Sequence, residues 1–180
     1  NKTYDALTTA SVSYGDNRVA GDTLSITGTA TFADKLIGTS KTVSATGISV
    51  TGTDSGNYTW NTTASGTANI TARALTIVGT YTASNRVYDG TTAATANVSV
   101  PASPTLATIQ GSDTVTLSGT PTFTFASANV GTGINITTSG YSLTGTDAGN
   151  YTLTAPTLSA SITTRSVRSE EHTSELQSRV

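Results

Sequence analysis

The chain has 180 residues, a formal net charge of −2 and only 11% charged residues, so nothing in its electrostatics favours nucleic acid. It contains no Cys and no apolar run long enough for a membrane helix, which excludes a disulfide-stapled scaffold and a helical span. Thr is abundant and aromatics are 6%, a composition that suits strands with one solvated face and fits β-rich extracellular domains.

In chain order, the opening Lys2-Thr3-Tyr4-Asp5-Ala6 returns as Arg86-Val87-Tyr88-Asp89-Gly90. Gly21-Asp22-Thr23-Leu24 returns with one insertion as Gly111-Ser112-Asp113-Thr114-Val115, and Phe32-Ala33 returns as Phe125-Ala126. Gly52–Trp60 returns as Gly145–Leu153, changed only at Ser55/Ala148 and Trp60/Leu153. Ile70-Thr71-Ala72-Arg73-Ala74-Leu75 returns as Ile162-Thr163-Thr164-Arg165-Ser166-Val167. The chain is therefore an internal repeat, read as two modules over residues 1–73 and 74–167. Asn1 already lies inside the first copy, so the sequence is expected to begin mid-protein.

Each motif has a local reading. Asp54, Gly56 and Asn57, like Asp147, Gly149 and Asn150, are turn residues: the Asp and Asn side chains bond nearby backbone and Gly supplies positive φ. Tyr58 and Tyr151 then begin an alternating apolar–polar stretch, a strand entering a core. Tyr4-Asp5 and Tyr88-Asp89-Gly90 open each copy with a turn. Ala6 stands where the second copy has Gly90, which predicts a looser first turn or a negative φ. Tyr4, Tyr58, Tyr88 and Tyr151 are assigned to the core, whereas Tyr14, Tyr81 and Tyr141 lack counterparts and are freer to be exposed.

Strands are expected at Leu75–Tyr81, Ala94–Val100, Thr114–Ser118, Thr122–Phe125, Ile134–Leu143, Tyr151–Thr154 and Leu158–Thr164, with a similar set in the first copy. Added residues of the second copy fall around Pro101–Pro104, where a longer surface loop costs little. Asn69–Val78 lacks Gly and Pro and alternates, so it reads as one strand leaving the first module and running into the second, unlike a coil-forming Gly/Ser linker. The fold class expected is all-β: two tandem small β-sandwich, immunoglobulin-like modules in an elongated array, with β-grasp-like modules as the alternative. Asp-x-Gly-x-Tyr-x-apolar resembles the tyrosine corner of immunoglobulin domains, with Trp60 and Leu153 where those domains carry Cys.

The last stretch differs in kind. Arg168–Ser178 holds every Glu and the sole His of the chain, and it reads without a break as the in-frame translation of a common short-read sequencing adapter. Residues 168–180 are accordingly set aside as a non-native tail, expected to be disordered. The remaining body has neither His nor Glu.

Together Tyr88-Asp89-Gly90-Thr91-Thr92-Ala93, the Gly-x-Asp strand, Phe125-Ala126 with Val130-Gly131, Asp147-Ala148-Gly149-Asn150-Tyr151 and the closing Ile-Thr-x-Arg resemble the YDG repeat. That repeat occurs in bacterial two-partner-secretion, filamentous-haemagglutinin-like surface adhesins. The resemblance implies a tandem extracellular repeat on the bacterial surface or secreted from it.

No catalytic, cofactor-binding or metal-ligating residue is assigned. Without His, Cys or Glu the body lacks a tuned acid, base or nucleophile, so no enzyme is expected. Calcium needs six to eight oxygens, and single Asp residues at Asp54, Asp89 and Asp147 read better as turn-forming groups. Glycosylation sequons occur at Asn57, Asn61, Asn69, Asn97, Asn135 and Asn150, as they readily do in a Thr-rich chain. The expected role is a non-catalytic stalk or spacer whose partners are neighbouring repeats of the same parent chain. The alternative is an adhesin module that itself binds a host-surface glycan or protein. Neither nucleic acid nor membrane insertion is expected.

Overall fold

The structure, a computed structural model, describes residues 1–99 and 105–168. The expected loop at Pro101–Pro104 lies outside the described residues, as does all but the first residue of the tail at 168–180. The described chain is all-β, with two single-turn 3-10 helices at Ser55–Asn57 and Ala148–Asn150.

The contacts divide the chain into two compact units. The first comprises Asn1–Gly79, the described part of Val100–Thr120, and Tyr141–Ala155. The second comprises Thr80–Ser99, Pro121–Gly140 and the described part of Pro156–Val180. This grouping departs from the repeat boundary at 73/74, because segments of the second copy complete a core begun by the first.

In the first unit, β1 (Lys2–Thr3), β2 (Thr9–Ala10), β3 (Ser25–Phe32), β4 (Gly38–Thr51) and β5 (Ala64–Thr71) form a five-stranded sheet in the order β1-β5-β4-β3-β2. Only β1 runs parallel to its neighbour, with Lys2 opposite Ile70 and Thr3 opposite Thr71. After Ala72 the chain continues straight into β6 (Arg73–Val78). The extended crossing expected at Asn69–Val78 is thus two strands separated by one residue, serving two different sheets.

In the second unit, β7 (Thr80–Ala83) pairs β9 (Ala96–Ser99), and β8 (Arg86–Val87) edges a larger sheet. The first unit gains β10 (Thr105–Ala107), β11 (Thr116–Ser118), β14 (Ser142–Thr144) and β15 (Tyr151–Thr154) from the second copy. There β6 lies between β10 and β15, parallel to β15, while β11 pairs β14. The second unit's larger sheet runs β12 (Thr122–Phe125), β13 (Gly131–Ser139), β16 (Leu158–Thr163), β8.

Two expected strands are broken by glycine. Leu75–Tyr81 divides at Gly79, and Ile134–Leu143 divides at Gly140, whose φ of 88° turns the chain out of the extended region. The parallel pairs β1/β5, β6/β15 and β8/β16 depart from the wholly antiparallel sheets of an immunoglobulin sandwich.

Alternation along the strands fixes which side chains enter the core. In the first unit Tyr4, Phe32, Val43, Ile48 and Ile70 of the first copy pack in one cluster with Leu75, Val115 and Tyr151 of the second. The second unit has its own cluster of Phe125, Ile136, Ala160 and Ile162. Gly52 and Gly145 sit where their loops press against backbone. Their φ values are 126° and 115°, and an added Cβ would lie 2.2 Å from the Thr23 carbonyl oxygen and 2.3 Å from that of Thr114.

Candidate functional site

The polar feature that stands out is a carboxylate within the first unit's core. The Asp113 side chain is 2% exposed. Its Oδ2 accepts hydrogen bonds from the Tyr4 hydroxyl at 2.7 Å and the Tyr151 hydroxyl at 2.8 Å. Its Oδ1 accepts from Lys35 Nζ at 2.9 Å, and the same ammonium lies 3.8 Å from Asp147. The Tyr4 and Tyr151 rings meet edge to face, centroids 5.3 Å apart, and Tyr4 is completely buried. The cluster joins Tyr4 and Lys35 of the first copy to Asp113 and Tyr151 of the second.

Its electrostatics follow from burial and pairing. Burial alone would raise the Asp113 carboxyl, but hydrogen bonds from Lys35, Tyr4 and Tyr151 outweigh it and hold the group below the usual carboxylate range. Lys35 is raised above its ordinary value, first by its bond to Asp113. The Tyr4 hydroxyl is pushed up to about 12, first by burial and then by its bond to Asp113. The folded chain therefore holds the Tyr4 proton more tightly than the unfolded chain, whose tyrosines titrate near about 10. That contribution is complete below pH of about 10 and is lost as pH rises through about 12. Thermal melting is expected to fall over this range, and Tyr4→Phe should flatten the Tyr4 part of the decline.

The turn motifs hold the cluster's frame. Asp147 Oδ2 accepts from the Thr114 backbone N–H at 2.9 Å, and Asp54 Oδ2 from that of Thr23 at 2.9 Å. These carboxylates pin the segments that lead into β3 and β11, and among the described residues no group of three or more His, Cys, Asp or Glu could hold a metal ion. Gly149 and Gly56 lie in the 3-10 turns; the positive φ values belong instead to Gly145 and Gly52. Asn150 is buried and accepts from the Ile37 backbone N–H at 3.2 Å, so its sequon is closed to a glycan in the folded chain. Asn57 is exposed.

The tyrosine corners differ in the same way. The Tyr151 hydroxyl accepts from the upstream Gln110 N–H at 3.0 Å while donating to Asp113. The Tyr58 hydroxyl accepts from Val19 N–H at 3.0 Å and donates to Asp22 at 2.5 Å. Tyr151 enters β15, whereas the expected strand after Tyr58 does not form. Tyr88, expected in the core, is 39% exposed. Tyr14, Tyr81 and Tyr141, expected to be freer, are half-buried.

At the opening turns, Asp5 Oδ1 accepts from Lys2 Nζ at 2.7 Å and Leu7 N–H at 3.0 Å. Asp89 Oδ1 accepts from Thr91 N–H at 2.9 Å, and Arg86 donates to Asp89 Oδ2 at 2.9 Å and to the Thr91 carbonyl. Ala6 keeps a positive φ of 63°, against 80° for Gly90, so the turn is conserved in shape and alanine carries the strain. Left-handed alanine costs roughly 1–2 kcal/mol, partly offset by glycine's extra unfolded-state entropy. Ala6→Gly is thus expected to stabilise the chain by about 0.5–1 kcal/mol in urea unfolding.

Asp113, Asp22 and Lys35 were not singled out as site residues from sequence. Asp113 and Asp22 had a signal, an acid at the same place in both copies of a chain with few charges. Lys35 had none, since Ala128 occupies its place in the second copy.

No curated protein and no solved structure matches the chain. The family model of the YDG domain matches residues 1–66 and 71–160, the two copies that the repeated turns and corners delimit. The chain belongs to the YDG domain family.

Proposed function

We propose that the chain is a non-catalytic extracellular stalk or spacer of a bacterial surface adhesin of the two-partner-secretion, filamentous-haemagglutinin-like kind. The observation that carries this reading is the Tyr4–Asp113–Tyr151 cluster: a carboxylate whose side chain is 2% exposed ties one copy to the next and is closed to a substrate. A carboxylate held below its usual range with two tyrosines raised is suited to bracing, since neither partner is poised to exchange a proton near neutrality. In this reading the copies span distance and present an adhesive region elsewhere in the parent protein, and residues 168–180 belong to a sequencing adapter.

A second reading, that the copies themselves bind a host glycan, is favoured by one observation. Tyr14, Tyr58 and Trp60 line a concavity of about 410 Å³ in the first unit, and Trp60 is 43% exposed. A glycan array probed with the full chain separates the two. Silence supports the spacer; specific binding that Trp60→Ala abolishes supports the adhesin module and overturns the spacer.

A further inference from the structure

The two copies are built alike up to one face, and there they part. Tyr4 N–H donates to the Thr71 carbonyl at 2.9 Å, and Tyr88 N–H to the Thr163 carbonyl at 2.9 Å. β1 lies parallel beside β5 with Lys2 opposite Ile70, and β8 beside β16 with Arg86 opposite Ile162. Lys2 sits 5.5 Å over the Phe32 ring, and Arg86 sits 5.2 Å over that of Phe125. Yet Tyr4 is fully buried and Tyr88 is 39% exposed; Leu75 is fully buried and its counterpart Val167 is 93% exposed. What covers Tyr4 is Tyr151 and Asp113 of the second copy, and Leu75 lies opposite Leu153 of β15, parallel to β6.

The complementary face is partly bare on the first copy, where Trp60 is 43% exposed and Tyr58 half-buried. Tyr58-Thr59-Trp60 corresponds to the start of β15, and Tyr58 is extended (φ −125°, ψ 151°), but it forms no strand. Arg165-Ser166-Val167, the counterpart of the start of β6, forms none either. Asn57 is exposed where Asn150 is buried, and among the described residues Asp22 receives the Tyr58 hydroxyl alone, where Asp113 receives two tyrosines and Lys35.

We infer that these faces are two halves of one interface, and that the Tyr88/Val167 face takes the Asp22/Tyr58/Trp60 face of a second copy of this chain, head to tail. The inference rests on the spacer reading and names its partner and contacts. Tyr88 donates to Asp22 and stacks edge-on against Tyr58, as Tyr4 does with Asp113 and Tyr151. Residues 165–167 add as a parallel strand beside Tyr58-Thr59-Trp60, as β6 does beside β15. Ala128 stands in the place of Lys35, so this joint lacks the ammonium and is weaker than the one inside the chain.

Because the chain has no Cys, single-cysteine variants test the register without background. Ser166 and Thr59 correspond to Ala74 and Thr152, which are register partners. Paired strands lie about 4.8 Å apart, within the roughly 4.4–6.8 Å Cα separation a disulfide accepts. Mixing full-length S166C with T59C under mild oxidation should give a crosslinked dimer, and S166C with T46C, on exposed β4, should not. In the unmodified chain, the emission of Trp60, its single Trp, should move to shorter wavelength as concentration rises. Tyr88→Ala should abolish that shift at a small cost in melting temperature, its side chain being 39% exposed in the single chain. Crosslinking no faster than the T46C control, or a Trp shift that survives Tyr88→Ala, overturns the inference. Neither assay contains a glycan, so failure here leaves the spacer reading standing, and glycan binding on the array leaves these results untouched.

Discussion

Truncating the chain after Arg73 is expected to leave a fragment that does not fold cooperatively, although it contains the whole first copy of the repeat. The fragment keeps Tyr4, Phe32, Val43, Ile48 and Ile70 but loses Leu75, Val115 and Tyr151 from the same cluster. Losing large apolar side chains from a core costs about 2–5 kcal/mol each. Three such losses are comparable to the entire stability of a small domain, roughly 5–15 kcal/mol. Amide dispersion in NMR and the urea transition are the measurements. A fragment of residues 1–73 with the full chain's sharp transition would show that the first copy holds itself together, and the shared core would then be incidental.

Replacing Asp113 by alanine is the point substitution expected to cost most among the polar residues. It strands the buried Tyr4 hydroxyl and weakens the hold on Tyr151 and Lys35 together. Leaving a buried donor unsatisfied costs about 1–3 kcal/mol, and with a second tyrosine affected the total should be about 2–4 kcal/mol. Asp22→Ala is the internal control, because it releases only the half-buried Tyr58 hydroxyl and should cost about 1 kcal/mol. Equal losses at the two positions would mean that the contact between copies contributes nothing. Acid should act in the same direction as Asp113→Ala. The folded carboxyl is held below its unfolded value, so its contribution is present above the ordinary carboxylate range and is lost as pH falls through the lowered one.

Much of the local structure could be read from the chain. Thr122–Phe125 and Tyr151–Thr154 are strands at the expected residues because alternation and flanking Gly, Pro or Asn bound them closely. Glycine inside a pattern was harder: nothing in Leu75–Tyr81 told Gly79 apart from a tolerated glycine until the partners on either side proved to be different strands. The assignment of compact units to repeats was out of reach for a deeper reason. Alternation states that one face of β6 is buried, but not which neighbour buries it, and β6 takes β15 and β10 in the same unit as the first copy's sheet. The candidate site was half legible for the same cause. Tyr4, Tyr151 and Asp113 were all marked by repetition, but repetition does not say that the three meet, and Lys35 exists in one copy alone.

The Lys35–Asp113 pair has a consequence for how such a protein can change over generations. Its two members belong to different copies, so neither copy carries the match by itself. Gain or loss of whole periods leaves every brace with some partner of the right kind, which makes total length easy to vary. Both copies carry the acid, at Asp22 and Asp113, whereas only the first carries the lysine. How firmly each joint is held would then be set by the copy that precedes it, whatever copy follows.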